Sequence, residues 1–217
     1  MHQGDQDGVK GVYHINAVDE VTQWQVAGAA SFISEAWLLP VLWAIPVQFP
    51  FLVRGFHSDN GSEFINHRVA GLLNKWLIEQ TKSRPRHSND NGLVKAKNGA
   101  MIRKHMGYLH IQAEHADAIH EFYRDYLNPY LNFHRPCGQP ELTTDAKGKQ
   151  KRIYKRHATP WEVFSTLSKA AKFLRRGQTM TALKAEALRC SDTEAATRMQ
   201  QAKHELFRRF YPEARPA

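Results

Sequence analysis

The sequence predicts a mixed α/β fold with a mainly helical C-terminal extension. Three observations carry this reading. Two β-rich runs near the start flank a short polar connection, an apolar stretch near residue 50 runs into a polar turn, and most later apolar residues recur at helical spacing.

Gly11 to Val18 and Gln23 to Ala29 read as two antiparallel strands around Asp19 to Thr22. Ser34 is placed to cap a helix with Trp37, Leu38, Val41, Leu42 and Ile45 on one side and Pro40 near its first turn; Phe49 and Pro50 end it. Phe51 to Phe56 then reads as a buried strand entering the polar turn His57-Ser58-Asp59-Asn60-Gly61. A helix over Asn66 to Gln80 carries Val69, Leu72, Leu73, Trp76 and Leu77, and a short extended piece follows at Thr81 to Arg86. Further helices are expected over Gly92 to Met106 and over Ala116 to Leu127, the second stopped by Asn128-Pro129.

After Phe133 the composition turns rich in Pro, Gly and Lys, so residues 136–158 read as a basic linker between a domain over 1–135 and an extension over 159–217. Thr159-Pro160 is a good helix start. Ser191 to Tyr211 reads as an amphipathic helix with Met199, Ala202, Leu206 and Phe210 on one face, suited to packing on the core or on a partner chain.

Lysine and arginine outnumber the acids by 30 to 21, a net charge of +9 with 12 neutral histidines, which makes a polyanion the first partner to consider. Cys137 and Cys190 are too far apart for a CxxC zinc cluster and too few for a disulfide framework, which suits a reducing, cytoplasmic setting. Pro40, Pro46 and Pro50 interrupt the most apolar stretch, so no membrane span is expected, and the polar start has no signal-peptide pattern. Neither a Walker A loop, a Gly-rich dinucleotide loop nor GxSxG is present, so no nucleotide cofactor is expected. His105, His110, His115 and His120 recur at five-residue steps, which does not align them for zinc.

Asp59 stands where an apolar strand meets Asn60-Gly61, a position that holds a carboxylate rigidly; the same residue also suits an ordinary turn. The run GFHSDNGSEFIN, followed by SRPRHSNDNG, KNGAMIRKHMGY and LNFHRP, resembles the catalytic core of DDE-type insertion-sequence transposases and retroviral integrases over roughly residues 2–135. The resemblance implies a ribonuclease-H-like mixed sheet. It also implies three carboxylates holding Mg2+ or Mn2+ for phosphoryl transfer on DNA, and a bacterial, nucleoid-associated protein. Asp59 matches the second carboxylate and is the metal ligand the resemblance assigns. Thirty-five residues intervene between Asp59 and the position matching the glutamate, and that position is Lys95.

An ammonium has no lone pair and opposes a metal ion, so Lys95 is expected to be inactivating; it could grip a DNA phosphate or be a solvated helix lysine. The family's first aspartate has no match here, and Asp19, on the hairpin connection, is a weak substitute. The family's first strand is likewise expected to be missing, leaving the Phe51 to Phe56 strand without a parallel partner. Lys82, Arg84, Arg86, Lys95, Lys97, Arg103 and Lys104 face only one acid, Asp90, in their stretch and suit a phosphate-tracking surface. The expected function is a catalytically defective transposase core fragment. The alternative is a non-enzymatic, transposase-derived DNA-binding or interaction protein that pairs with itself or with an intact transposase copy.

Overall fold

The computed structural model describes residues 1–58, 79–82, 96–144, 148 and 150–211. A small hairpin of β1 (Asp5–Gln6) and β2 (Val9–Lys10) comes first. It turns at Asp7 and Gly8 with φ of 53° and 78°, the left-handed pair that an Asp-Gly hairpin turn requires. The predicted main hairpin follows. β3 (Tyr13–Val18) pairs antiparallel with β4 (Gln25–Ala30), in register from Tyr13 opposite Ala30 to Val18 opposite Gln25.

β4 is buried along its whole length because both of its faces are covered. Val26 and Ala30 join one core with Ile15 and Trp24, while Ala27 and Ala29 point into a second. The first core is filled by helix α1 (Glu35–Ala44) through Leu38, Val41 and Leu42, together with Phe49 and Phe51. Ser34 occupies the predicted N-cap in extended conformation, and Pro40 lies inside the helix. At Gly28 a side chain would have no room: a Cβ there would come within 2.7 Å of a Val41 methyl.

The strand expected over Phe51 to Phe56 is displaced. β5 comprises Gly55–Ser58, while Phe51 bridges Leu174 and Leu52 donates to the Phe173 carbonyl at 2.8 Å. Apolarity here serves core packing, with the Phe51 ring 5.2 Å from Phe164 and 6.0 Å from Trp24. β5 pairs in parallel with β6 (Glu79–Lys82), which supplies the parallel partner that the sequence reading denied it. Glu79 and Gln80, expected at the end of a helix, are therefore strand; the rest of that expected helix lies outside the described residues.

Helix α2 joins a wide segment, Asn98–Arg103, to a tighter one, Lys104–Met106, and ends at Gly107, whose φ of 75° suits a residue without Cβ. Helix α3 runs on through Ala116–Phe122, Tyr123–Leu127 and Tyr130–His134. Asn128-Pro129 does not stop it, contrary to expectation. The turn before Pro129 is widened, with the Asn128 N–H donating to the Tyr123 carbonyl five residues back, a geometry in which a residue without an N–H costs less.

α3 also replaces a neighbouring strand for β4. Asn132 accepts from the Gln25 N–H at 2.8 Å and donates to the Gln25 carbonyl at 2.7 Å. Asn128 does the same for Ala27 at 2.9 and 3.0 Å, and His120 Nδ1 accepts from the Ala29 N–H at 3.3 Å. The outward backbone groups of a buried edge thus find partners in side chains.

In the span assigned to a linker from composition, β7 (Cys137–Thr144) pairs antiparallel with β8 (Gln150–Ala158), with an irregular register at Pro140, where a ladder donor is missing. The extension is helical, as expected. α4 (Pro160–Thr166) starts with a full capping box between Thr159 and Glu162; α5 (Met180–Ala187) and α6 (Asp192–Phe210) follow. Trp161, Phe164 and Leu183 enter the first core, whereas Met199, Leu206 and Phe210 enter the second beside Ile102, Met106, Ile119 and Tyr123. Among the described residues no helix is long and apolar enough to cross a membrane.

Candidate nucleic-acid interface

The basic residues singled out in the sequence separate in space. Lys82 closes β6, and Arg84, Arg86 and Lys95 lie outside the described residues. Arg103 and Lys104 are exposed on α2, with the Arg103 guanidinium 4.8 Å over the Tyr108 ring. Lys97 departs from expectation: it is buried beside Cys137, and burial holds its ammonium below the usual lysine range. It belongs to the packing under the surface.

Two cations that local sequence did not signal complete the group. Arg135, at the end of α3, reaches Met101 Sδ with its guanidinium at 3.1 Å, and Lys203 comes from α6. Lys203, Arg135 and Lys104 each act electrostatically on His105, which is buried with neither ring nitrogen hydrogen-bonded. Burial first, then Lys203, Arg135 and Lys104, push the imidazole down to about 4, so it is neutral at pH 7. Among the described residues none of Arg103, Lys104, Arg135 and Lys203 is ion-paired. Cations without an ion-pair partner among the described residues, on α2, at the end of α3 and on α6, suit phosphate oxygens.

The carboxylates are distributed otherwise. Asp59 follows β5 directly in sequence but lies outside the described residues. Asp19 is committed to the hairpin connection, where its Oδ2 accepts from the Thr22 N–H and from the Thr22 hydroxyl, each at 2.7 Å. Asn98, also on α2, accepts from Asn16 at 2.9 Å and so ties α2 to β3. Among the described residues no three His, Cys, Asp or Glu side chains gather as a metal site.

The spaced histidines do different jobs. His120 serves β4, His110 Nε2 meets the Val9 carbonyl at 3.2 Å, and the His115 ring lies 4.6 Å from the Phe210 ring. No family model matches the chain. It is 35% identical over 88 residues to a curated protein of Sinorhizobium fredii that bears the name "Uncharacterized protein y4rM". The match takes in 41% of this chain and spans 25% of that relative's length.

Proposed function

We propose that this chain is a fragment of a transposase or integrase core of the ribonuclease-H-like kind, one that has kept DNA binding and lost strand transfer. The observation that carries the reading is the ordered set HSDNG, NDNGLVKAKN and LNFHRP, with Asp59 at a carboxylate position and Lys95 where the metal-binding glutamate belongs. The antiparallel β3–β4 hairpin and the parallel β5–β6 pair, separate two-stranded sheets among the described residues, are compatible with a mixed α/β class. Arg103 and Lys104, exposed on α2 and without an ion-pair partner among the described residues, support a DNA-facing role.

The residues do not fit a two-ion site. Lys95 offers no lone pair where the resembled core has its glutamate, and Asp19 is held by Thr22. The proposed role therefore contains no metal-dependent step. The apolar face of α6 is buried inside the chain through Met199, Leu206 and Phe210, so pairing with an intact copy through that face is not favoured over direct DNA contact.

The test is an oligonucleotide strand-transfer assay in Mg2+ or Mn2+ with the wild-type chain and Lys95→Glu. Neither is expected to yield cut or joined product, because one restored carboxylate does not complete a set of three. Product from either chain that disappears in Asp59→Asn would overturn the reading.

A further inference from the structure

Away from the cationic surface, the joint between α5 and α6 holds a thiol, an imidazole and a carboxylate in series. Cys190 stands immediately before Ser191, the N-cap of α6, and Asp192 is that helix's first residue. His134, the last residue of α3, reaches both of them from 56 and 58 positions away. Its Nδ1 lies 3.1 Å from Asp192 Oδ1, and its Nε2 lies 3.9 Å from Cys190 Sγ.

A carboxylate only accepts, so the neutral ring carries its proton on Nδ1 and turns the bare lone pair of Nε2 toward sulfur. Nucleophile, base and orienting acid stand in that order, the arrangement that activates thiols. Each member is held by the fold: the His134 ring is only 7% exposed, and the capping box of Ser191 and Glu194 fixes the backbone at the start of α6. Cys190 is half-buried, while the Asp192 side chain is largely exposed, so a small reagent can reach the sulfur and Asp192 can be changed without opening a core. Cys137, the second free thiol, meets the Gln139 amide at 3.4 Å and the Lys97 ammonium instead.

We propose that Cys190 is a reactive thiol, with His134 as its base and Asp192 as the positioning residue, and that it takes up low-molecular-weight disulfides by exchange. His134 Nε2 accepts the thiol proton as Sγ attacks one sulfur of the incoming disulfide. The old S–S bond breaks as the new one forms, and the departing thiolate takes the proton from the imidazolium. One thiol and one disulfide give one mixed disulfide and one thiol, with no external oxidant.

The full chain is mixed with 4,4′-dithiodipyridine at neutral pH, released pyridinethione is followed by absorbance, and peptide mass spectrometry assigns the adduct to Cys190 or Cys137. Cys190 should react on the order of tenfold or more faster in the folded chain than in the urea-unfolded chain, a modest share of what a positioned base supplies. Asp192→Asn should remove most of that advantage and Asp192→Glu should keep it, with circular dichroism unchanged in both. Reaction of Cys190 no faster folded than unfolded overturns the proposal, as does a folded Asp192→Asn chain reacting at the wild-type rate. Should Asp192→Asn fail to fold, the comparison of folded and unfolded wild-type chain decides alone.

Discussion

His14 and His105 show at the scale of single residues how burial sets charge in this protein. His14 is 2% exposed against Tyr123, whose hydroxyl lies 2.8 Å from its Nδ1, and burial pushes its pKa down to about 3. His105 is pushed down to about 4 by burial and by the cations around it. Both rings are neutral when folded, whereas in the unfolded chain they take up protons near the ordinary histidine value of 6.5. As pH falls below that value the unfolded state binds more protons and stability is lost. The loss continues until the folded values are reached, at roughly 1.4 kcal/mol per pH unit for each ring. Carboxylates add to the slope, so the difference made by one substitution is the useful quantity. His105→Leu removes a ring that makes no hydrogen bond, and urea unfolding between about pH 6.5 and pH 4 should show its stability falling less steeply than wild type by about 1.4 kcal/mol per pH unit. Equal slopes would contradict a buried neutral His105.

Among the elements, the contact between α3 and β4 is the one that sequence patterns hid. Asn128-Pro129 reads locally as a stop, yet Asn128 and Asn132 are the groups that close the open edge of β4, about a hundred positions away in sequence. No local pattern encodes such a partner. Asn128→Ala would leave the Ala27 N–H and C=O buried without partners, and should cost about 2 to 4 kcal/mol by urea unfolding; a loss below about 0.5 kcal/mol would mean that water or a backbone shift replaces the side chain. The displaced β5 has a related cause. Phe51 to Val53 looked like a strand because it is apolar, and that apolarity goes into packing Phe51 on Trp24 and Phe164 while the ladder starts at Gly55. Elements fixed by local rules were legible: the β3–β4 hairpin from alternation around a polar connection, α4 from Thr159-Pro160, and α6 from its periodic apolar face. The β7–β8 hairpin was not, because its strands are mostly exposed and their Lys, Gly and Pro content imitates a linker.

For the molecule as a whole, the helical extension completes both cores laid down by the earlier part of the chain, through Trp161 and Phe164 on one side of the hairpin and Met199, Leu206 and Phe210 on the other. That shared packing places Lys203 of α6 within electrostatic reach of His105, as Lys104 and Arg135 are, a group only half readable beforehand: Arg103 and Lys104 were foreseen, Lys97 turned out to be buried, and Arg135 and Lys203 join only through the tertiary fold. The proposed role requires that this surface bind DNA through phosphate charge. Fluorescence anisotropy of a labelled duplex, titrated with the full chain at increasing salt, tests it most directly. Binding is expected with a log affinity that falls with log salt at a slope of about −3 or steeper, and Lys104→Ala and Lys203→Ala together should make that slope shallower by roughly two. No binding at low salt, or a slope that the two substitutions leave unchanged, would contradict it.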